Sequence, residues 1–135
     1  MSPFEQLSHR SGPGLRRPMT AVQRIAPATT LRLLAPPDPA LGIGTVAIDG
    51  ELDQDCAQAL DAALRRTLSG CPGGLRLDLG RVAFCDSAAL HVLLRIRAES
   101  LRLGRTFTVR TVSRQVDRLM RLTETRRVLF PAGSR

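Results

Sequence analysis

Two hydrophobic periods alternate along the chain. "TLRLL" sets Leu31 and Leu33 against Arg32, and "TVAID" (Thr45–Asp49) puts Val46 and Ile48 on one face, the period of two of half-buried strands. The turn-rich "PPDPALG" between them makes the pair a predicted hairpin. From Cys56 the spacing lengthens. Cys56, Ala59, Leu60, Ala63, Leu64 and Leu68 form the stripe of an amphipathic helix, with Asp53 or Asp55 as N-cap and Gly70 as its stop. Gln58, Asp61 and Arg65 line the other side, the last two one turn apart as a charge pair.

"GGLRLDLG" returns to period two, with Leu75, Leu77 and Leu79 against Arg76 and Asp78, and Val82 and Phe84 carry the apolar content up to "CDSAAL". After Ser87 the helical spacing resumes: Leu90, Leu93, Leu94, Ala98 and Leu101 on one side, His91, Arg95, Glu99 and Arg102 on the other, ending at Leu103-Gly104. "RTFTVRTV" predicts a strand with Phe107 and Val109 inward. Ser113 then caps a helix "RQVDRLMRL" whose stripe is Val116, Leu119 and Met120, and "RRVLF" reads as a last strand. Strands alternating with helices call for parallel neighbours and right-handed crossovers. The expected fold is therefore a single α/β domain, a mixed four- to five-stranded sheet with helices packed on it and an N-terminal hairpin at its edge.

Residues 1–30 interrupt themselves with Pro3, Gly12, Pro13, Gly14, Pro18 and Pro27 and sustain neither period. They are expected to form a flexible tail, in which Met19, directly after "LRRP", is a candidate translation start. The domain is expected over residues 31–130, with 131–135 as a short C-terminal tail.

Composition narrows the function. With 135 residues, 43% of them hydrophobic and 24% charged, the chain suits one globular domain. Cys56, Cys71 and Cys85 are odd in number, contain no CxxC pair and have only His9 and His91 for company, so neither a disulfide framework, a zinc site nor any cofactor is expected. The N-terminus lacks an apolar core of the secretory type, and no segment approaches the roughly eighteen apolar residues of a membrane span. A reducing cytoplasm is the expected setting.

Every one of the twenty basic residues is Arg, and the net charge is +8. Residues 102–127 hold eight arginines against Asp117 and Glu124. A solvated helix face is the plainest account of that cluster, and an acidic protein partner is the alternative. Direct nucleic-acid binding is not expected, because the chain has four Phe, no Tyr and no Trp to stack on bases.

The candidate chemistry lies at Asp86-Ser87, where a strand gives way to a helix. One of the two can serve as an ordinary N-cap. A Ser87 nucleophile would need a base and an oxyanion hole; His91 sits one turn on, but there is no GxSxG elbow and no third member. A phosphate-binding loop would need glycines that "CDSAAL" lacks. The third reading makes Ser87 a phosphoacceptor, gaining about −1.5 to −2 charge beside Asp86.

Gly50-Glu51-Leu52-Asp53 after the second strand, Leu77-Asp78-Leu79 with Phe84-Cys85-Asp86-Ser87 before the second helix, and the following "GRTFTV" and "SRQVDRLMRLT" occur in an order that resembles a STAS domain of the bacterial anti-sigma factor antagonist family, over about Leu31 to Phe130. That resemblance implies a STAS-type fold and a non-enzymatic partner switch. The unphosphorylated antagonist binds an anti-sigma factor that is also a serine kinase, the sigma factor is released, phosphorylation breaks the complex and a serine phosphatase restores it. Carried over, Ser87 is the acceptor, and Asp53, Asp86, Ala88, Ala89 and His91 belong to the partner-binding surface. The family commonly reads D-S-S/T-G-L. Here Ala88 and Ala89 replace the second hydroxyl and the glycine, which predicts an added methyl against a docking partner. Glu124 and Thr125 stand where the family usually has Gly-Leu. A phosphorylation-independent STAS adaptor in a sensory or transporter-associated complex is the alternative function.

Overall fold

The computed structural model describes residues 21–130. In chain order it contains β1 (Ala21–Ala26), β2 (Thr29–Ala35), β3 (Ile43–Leu52), a 3-10 turn (Gln54–Cys56), α1 (Ala57–Ser69), β4 (Gly74–Cys85), α2 (Ser87–Arg102), β5 (Thr106–Val112), α3 (Arg114–Leu122) and α4 (Arg126–Leu129). The strands form one five-stranded sheet in sequential order. β1, β2 and β3 are antiparallel neighbours, and β3, β4 and β5 run parallel, each parallel pair joined through a helix. The expected α/β architecture and mixed sheet are present.

Leu31, Leu33, Val46, Ile48, Leu75, Leu77, Leu79, Phe107 and Val109 are buried on one face of the sheet, and all four helices add side chains to the same core. Along the same strands Thr30, Arg32, Thr45, Asp49, Arg76 and Asp78 alternate with them and remain half-exposed, which is the pattern of a sheet covered on one side. α1 and α2 are joined through Arg65, which pairs with Asp61 one turn back at 3.1 Å and with Glu99 across the helix interface.

Several expectations need correction. Residues 21–30, assigned to the tail, form β1 and the start of β2, so the edge hairpin is β1–β2 and the predicted Leu31–Asp49 hairpin lies one strand further in. "RRVLF" is the helix α4 rather than a strand. Glu124 takes up the left-handed conformation (φ 59°) at the position where the resemblance has glycine, turning the chain back before α4 at a cost of about 1 kcal/mol. Leu101 and Ala98, placed on the buried stripe of α2, are exposed, and the stripe runs instead through Ala89, Leu90, Val92, Leu93, Ile96 and Ser100. Ala59 of α1 is exposed as well. The tail expectation for 1–20, the candidate start at Met19 and the tail 131–135 lie outside the described residues.

Phe84, expected among the apolar residues entering the core, is 44% exposed. β4 carries one more residue than β3 between Asp78 and Arg81, and again between Val82 and Phe84. Each extra residue in such a bulge reverses the side-chain alternation. The buried positions therefore run Leu79, Val82, Cys85 in steps of three, and Phe84 is turned out of the core beside its β3 partner Glu51.

Candidate functional site

Three segments meet at the carboxyl ends of β3 and β4. Asp86 is the N-cap of α2: its backbone is extended, and its Oδ1 accepts from the Ala89 amide at 3.0 Å. The other oxygen, Oδ2, accepts from the Gln54 amide at 2.9 Å, and the Asp86 amide donates to the Leu52 carbonyl at 3.0 Å. One carboxylate thus fixes both the helix start and the loop after β3. Asp53 performs the same service within that loop, accepting from the Cys56 amide at 3.1 Å. The third segment arrives from α3, where Gln115 Oε1 accepts from the Cys85 amide at 2.8 Å and Nε2 donates to the Cys85 carbonyl at 3.5 Å. Gln115 so continues the strand pairing of β4 past the end of β5.

Ser87 is the first residue of α2, with its side chain exposed. Among the described residues its hydroxyl has no hydrogen-bond partner, and His91, exposed on the next turn, is not bonded to it. The arrangement offers an accessible hydroxyl on a rigid platform, at the end of a helix whose dipole favours added negative charge. Phosphate oxygens placed there would find the Ser87 and Ala88 amides, which lack intrahelical acceptors.

Asp53, Asp86, Ser87 and the half-buried Ala88 share this corner, and His91 borders it. Ala89 does not. Its side chain is 0% exposed and packs in the core, so the methyl that the sequence set against a docking partner is turned away from any partner. Phe84, Gln54 and Gln115 were missed. Gly80, inside the β4 run, is the one sequence signal that could have located the bulge and hence Phe84; the Gln115 clamp leaves no local signal because it reaches across thirty residues.

Below the site Cys56 and Cys85 belong to the apolar core, and Cys71 lies in the same core at the opposite end of the sheet, beside Gly44 at the start of β3. Cys56, Cys71 and Cys85 are buried and free. Burial raises the pKa of each thiol, and that of Cys85, beside the Asp86 carboxylate and Cys56, is pushed up to about 12. Among the described residues no group of three His, Cys, Asp or Glu side chains could hold a metal ion, and no helix is long and apolar enough to cross a membrane.

The family model of the Mlab, STAS domain matches residues 41–130. Among the solved structures that share the fold are two anti-sigma factor antagonists. One is an anti-sigma factor antagonist from Mycobacterium paratuberculosis, 24% identical with a TM-score of 0.59 over 82% of this chain and 80% of that one. The other is the anti-sigma factor antagonist SpoIIAA in its unphosphorylated form, 16% identical with a TM-score of 0.50 over 79% of this chain and 82% of that one. No curated protein matches the chain.

Proposed function

The chain belongs to the STAS domain family, and from that premise we propose that it is an anti-sigma factor antagonist, a non-enzymatic regulator acting in the cytoplasm that docks on an anti-sigma factor of the serine-kinase type and is switched off by phosphorylation at Ser87. The observation that carries this reading is the exposed, unbonded Ser87 hydroxyl at the start of α2, on a loop that Asp86 locks from both sides. A kinase needs the hydroxyl within reach, and a docking partner needs a surface that does not rearrange. Both needs are met by the same clasp.

The docking surface is formed by Ser87, Ala88, His91, Asp53, the loop around Asp86 and the outward Phe84. A half-exposed aromatic ring is a natural anchor, since such residues dominate interface energies when a partner covers them. Phosphate on Ser87 would put about −1.5 to −2 charge and three bulky oxygens among these contacts, beside Asp86, which opposes a closely packed partner. Burial of the Ala89 methyl removes the objection that this change blocks docking, leaving Ala88 as the altered side chain on the surface.

The test is incubation with ATP and each serine kinase of the histidine-kinase-like ATPase type from the same genome, followed by mass mapping. A single phosphate on Ser87, absent from Ser87→Ala and removed by a serine phosphatase, is the expected result. If no kinase modifies Ser87 while a stable complex forms regardless of ATP, the phosphorylation-independent adaptor replaces this reading.

A further inference from the structure

Apart from Gln115, which clamps Cys85, the arginine-rich C-terminal corner takes no part in the Ser87 site. On α3, Arg114, Arg118 and Leu122 follow one another at one-turn spacing, and all three are exposed, Leu122 to 73%. Arg121, Arg126 and Arg127 add to the same corner, and Val128 of α4 is 36% exposed. Asp117 accepts from Arg121 at 2.7 Å and from Arg126 at 2.8 Å, and the Arg126 guanidinium also lies 5.0 Å over the Phe130 ring. These contacts hold α3 and α4 together and use the only acid within α3. Among the described residues Arg114, Arg118 and Arg127 have no carboxylate within ion-pair distance.

Free arginines beside bare aliphatic side chains form a mixed surface whose occupant must be both acidic and apolar. A second copy of this chain, itself at +8, is repelled. The chain's own first twenty residues carry Arg10, Arg16 and Arg17 against Glu5 alone and are repelled likewise. A nucleic-acid backbone would satisfy the arginines and give Leu122 and Val128 nothing, and the one ring in this corner, Phe130, is already covered by Arg126. A lipid surface requires a helix with an apolar face to insert, whereas the apolar stripe of α3, Val116 and Met120, is spent on the core.

We infer that α3 and α4 form a second docking surface, distinct from the Ser87 corner, for an acidic amphipathic helix of a protein partner, whose carboxylates meet Arg114 and Arg118 and whose apolar residues cover Leu122. A docked amphipathic helix presents its anchors at one-turn spacing, and Arg114, Arg118 and Leu122 offer it partners at that same spacing.

The experiment is fluorescence anisotropy with a labelled helical peptide of about twenty residues carrying Glu and Leu on opposite faces. Its comparison probes are a peptide of the same composition in scrambled order, vesicles of mixed phosphatidylcholine and phosphatidylglycerol, and an RNA oligonucleotide. The full chain is expected to bind the amphipathic peptide more tightly than the other three. The double variant Arg114→Glu/Arg118→Glu and the single variant Leu122→Ser, which leaves charge unchanged, should each weaken binding by at least about tenfold. Ser87→Asp and Phe84→Ala should leave it unaltered, which separates this surface from the proposed switch. Equal binding by Leu122→Ser, equal binding of the scrambled peptide, or tighter binding of RNA or vesicles would overturn the proposal.

Discussion

Gly50→Ala is expected to remove most of the domain's stability, about 4 kcal/mol or more, an effect reserved for a few mechanisms such as a forced backbone clash. Gly50 has φ 111°, which side-chain-bearing residues rarely adopt. A Cβ built there would lie 1.8 Å from the Ala28 carbonyl oxygen, in the two-residue turn between β1 and β2. That turn has no freedom to retreat. Thr29 pairs with Gly50 in the ladder, and its hydroxyl donates to the Glu51 carbonyl at 2.6 Å. Relief would require breaking the ladder next to Glu51-Leu52-Asp53, so the loop clasped by Asp86 would be disturbed with it. Urea denaturation measures the change. Gly104→Ala is the control: φ is 73°, but nothing lies within 4 Å of the added carbon, so its cost should be about 1 kcal/mol. Equal, small losses in the two variants would mean that the β1–β2 turn does not rest on Gly50 as described.

The second large effect is loss of stability in alkali. A buried thiol holds its proton in the folded chain, and once exposed it ionises near pH 8.5. Because the folded pKa values of Cys56, Cys71 and Cys85 are raised, their contribution is fully present below about pH 8.5 and is lost as pH rises, for Cys85 up to about 12. Within that window each thiol that remains protonated in the folded state lowers stability by about 1.4 kcal/mol per pH unit. The chain has no Lys and no Tyr, so no other side chain obscures the slope. Urea midpoints between about pH 7 and 11 should hold level and then fall, and Cys85→Ala should make the fall shallower. A level curve to pH 11 would contradict the buried, protonated thiols.

Much of this architecture was legible because strong periods coincide with burial. Leu75, Leu77 and Leu79, the Leu60–Leu64 stripe, and Phe107 with Val109 all lie where their spacing puts them. The predicted cap at Ser113 forms, at 3.3 Å, and of the Asp86-Ser87 pair it is Asp86 that caps α2, at 3.0 Å. β1 was hidden because it is an edge strand whose outward residues, Val22 and Arg24, mix types. Its inward Gln23 also meets a polar partner, Thr67, at 3.2 Å instead of an apolar one. "RRVLF" looked extended from composition, but Glu124 reverses the chain and sends Leu129 back into the core as part of a helix. At the site, the sequence's cap chemistry marked the two turns where Asp53 and Asp86 act as N-caps, with Ser87 at the start of α2. The sequence misjudged Phe84 and Ala89 for opposite reasons. Two bulges turned an apolar residue out, and helix phase turned a small residue in. Side-chain direction at a strand-to-helix junction depends on register, and register is set by pairing with β3 across the sheet.

On the proposed switch, Ser87 and Phe84 belong to one docking surface whose occupancy phosphate controls. The most direct measurement is titration of the kinase that modifies Ser87 against the wild-type chain, Ser87→Asp and Phe84→Ala by isothermal calorimetry. Tight binding by the wild type, with a loss of at least about tenfold in Ser87→Asp and of about thirtyfold or more in Phe84→Ala, is the predicted result. Equal affinity of all three forms would contradict it.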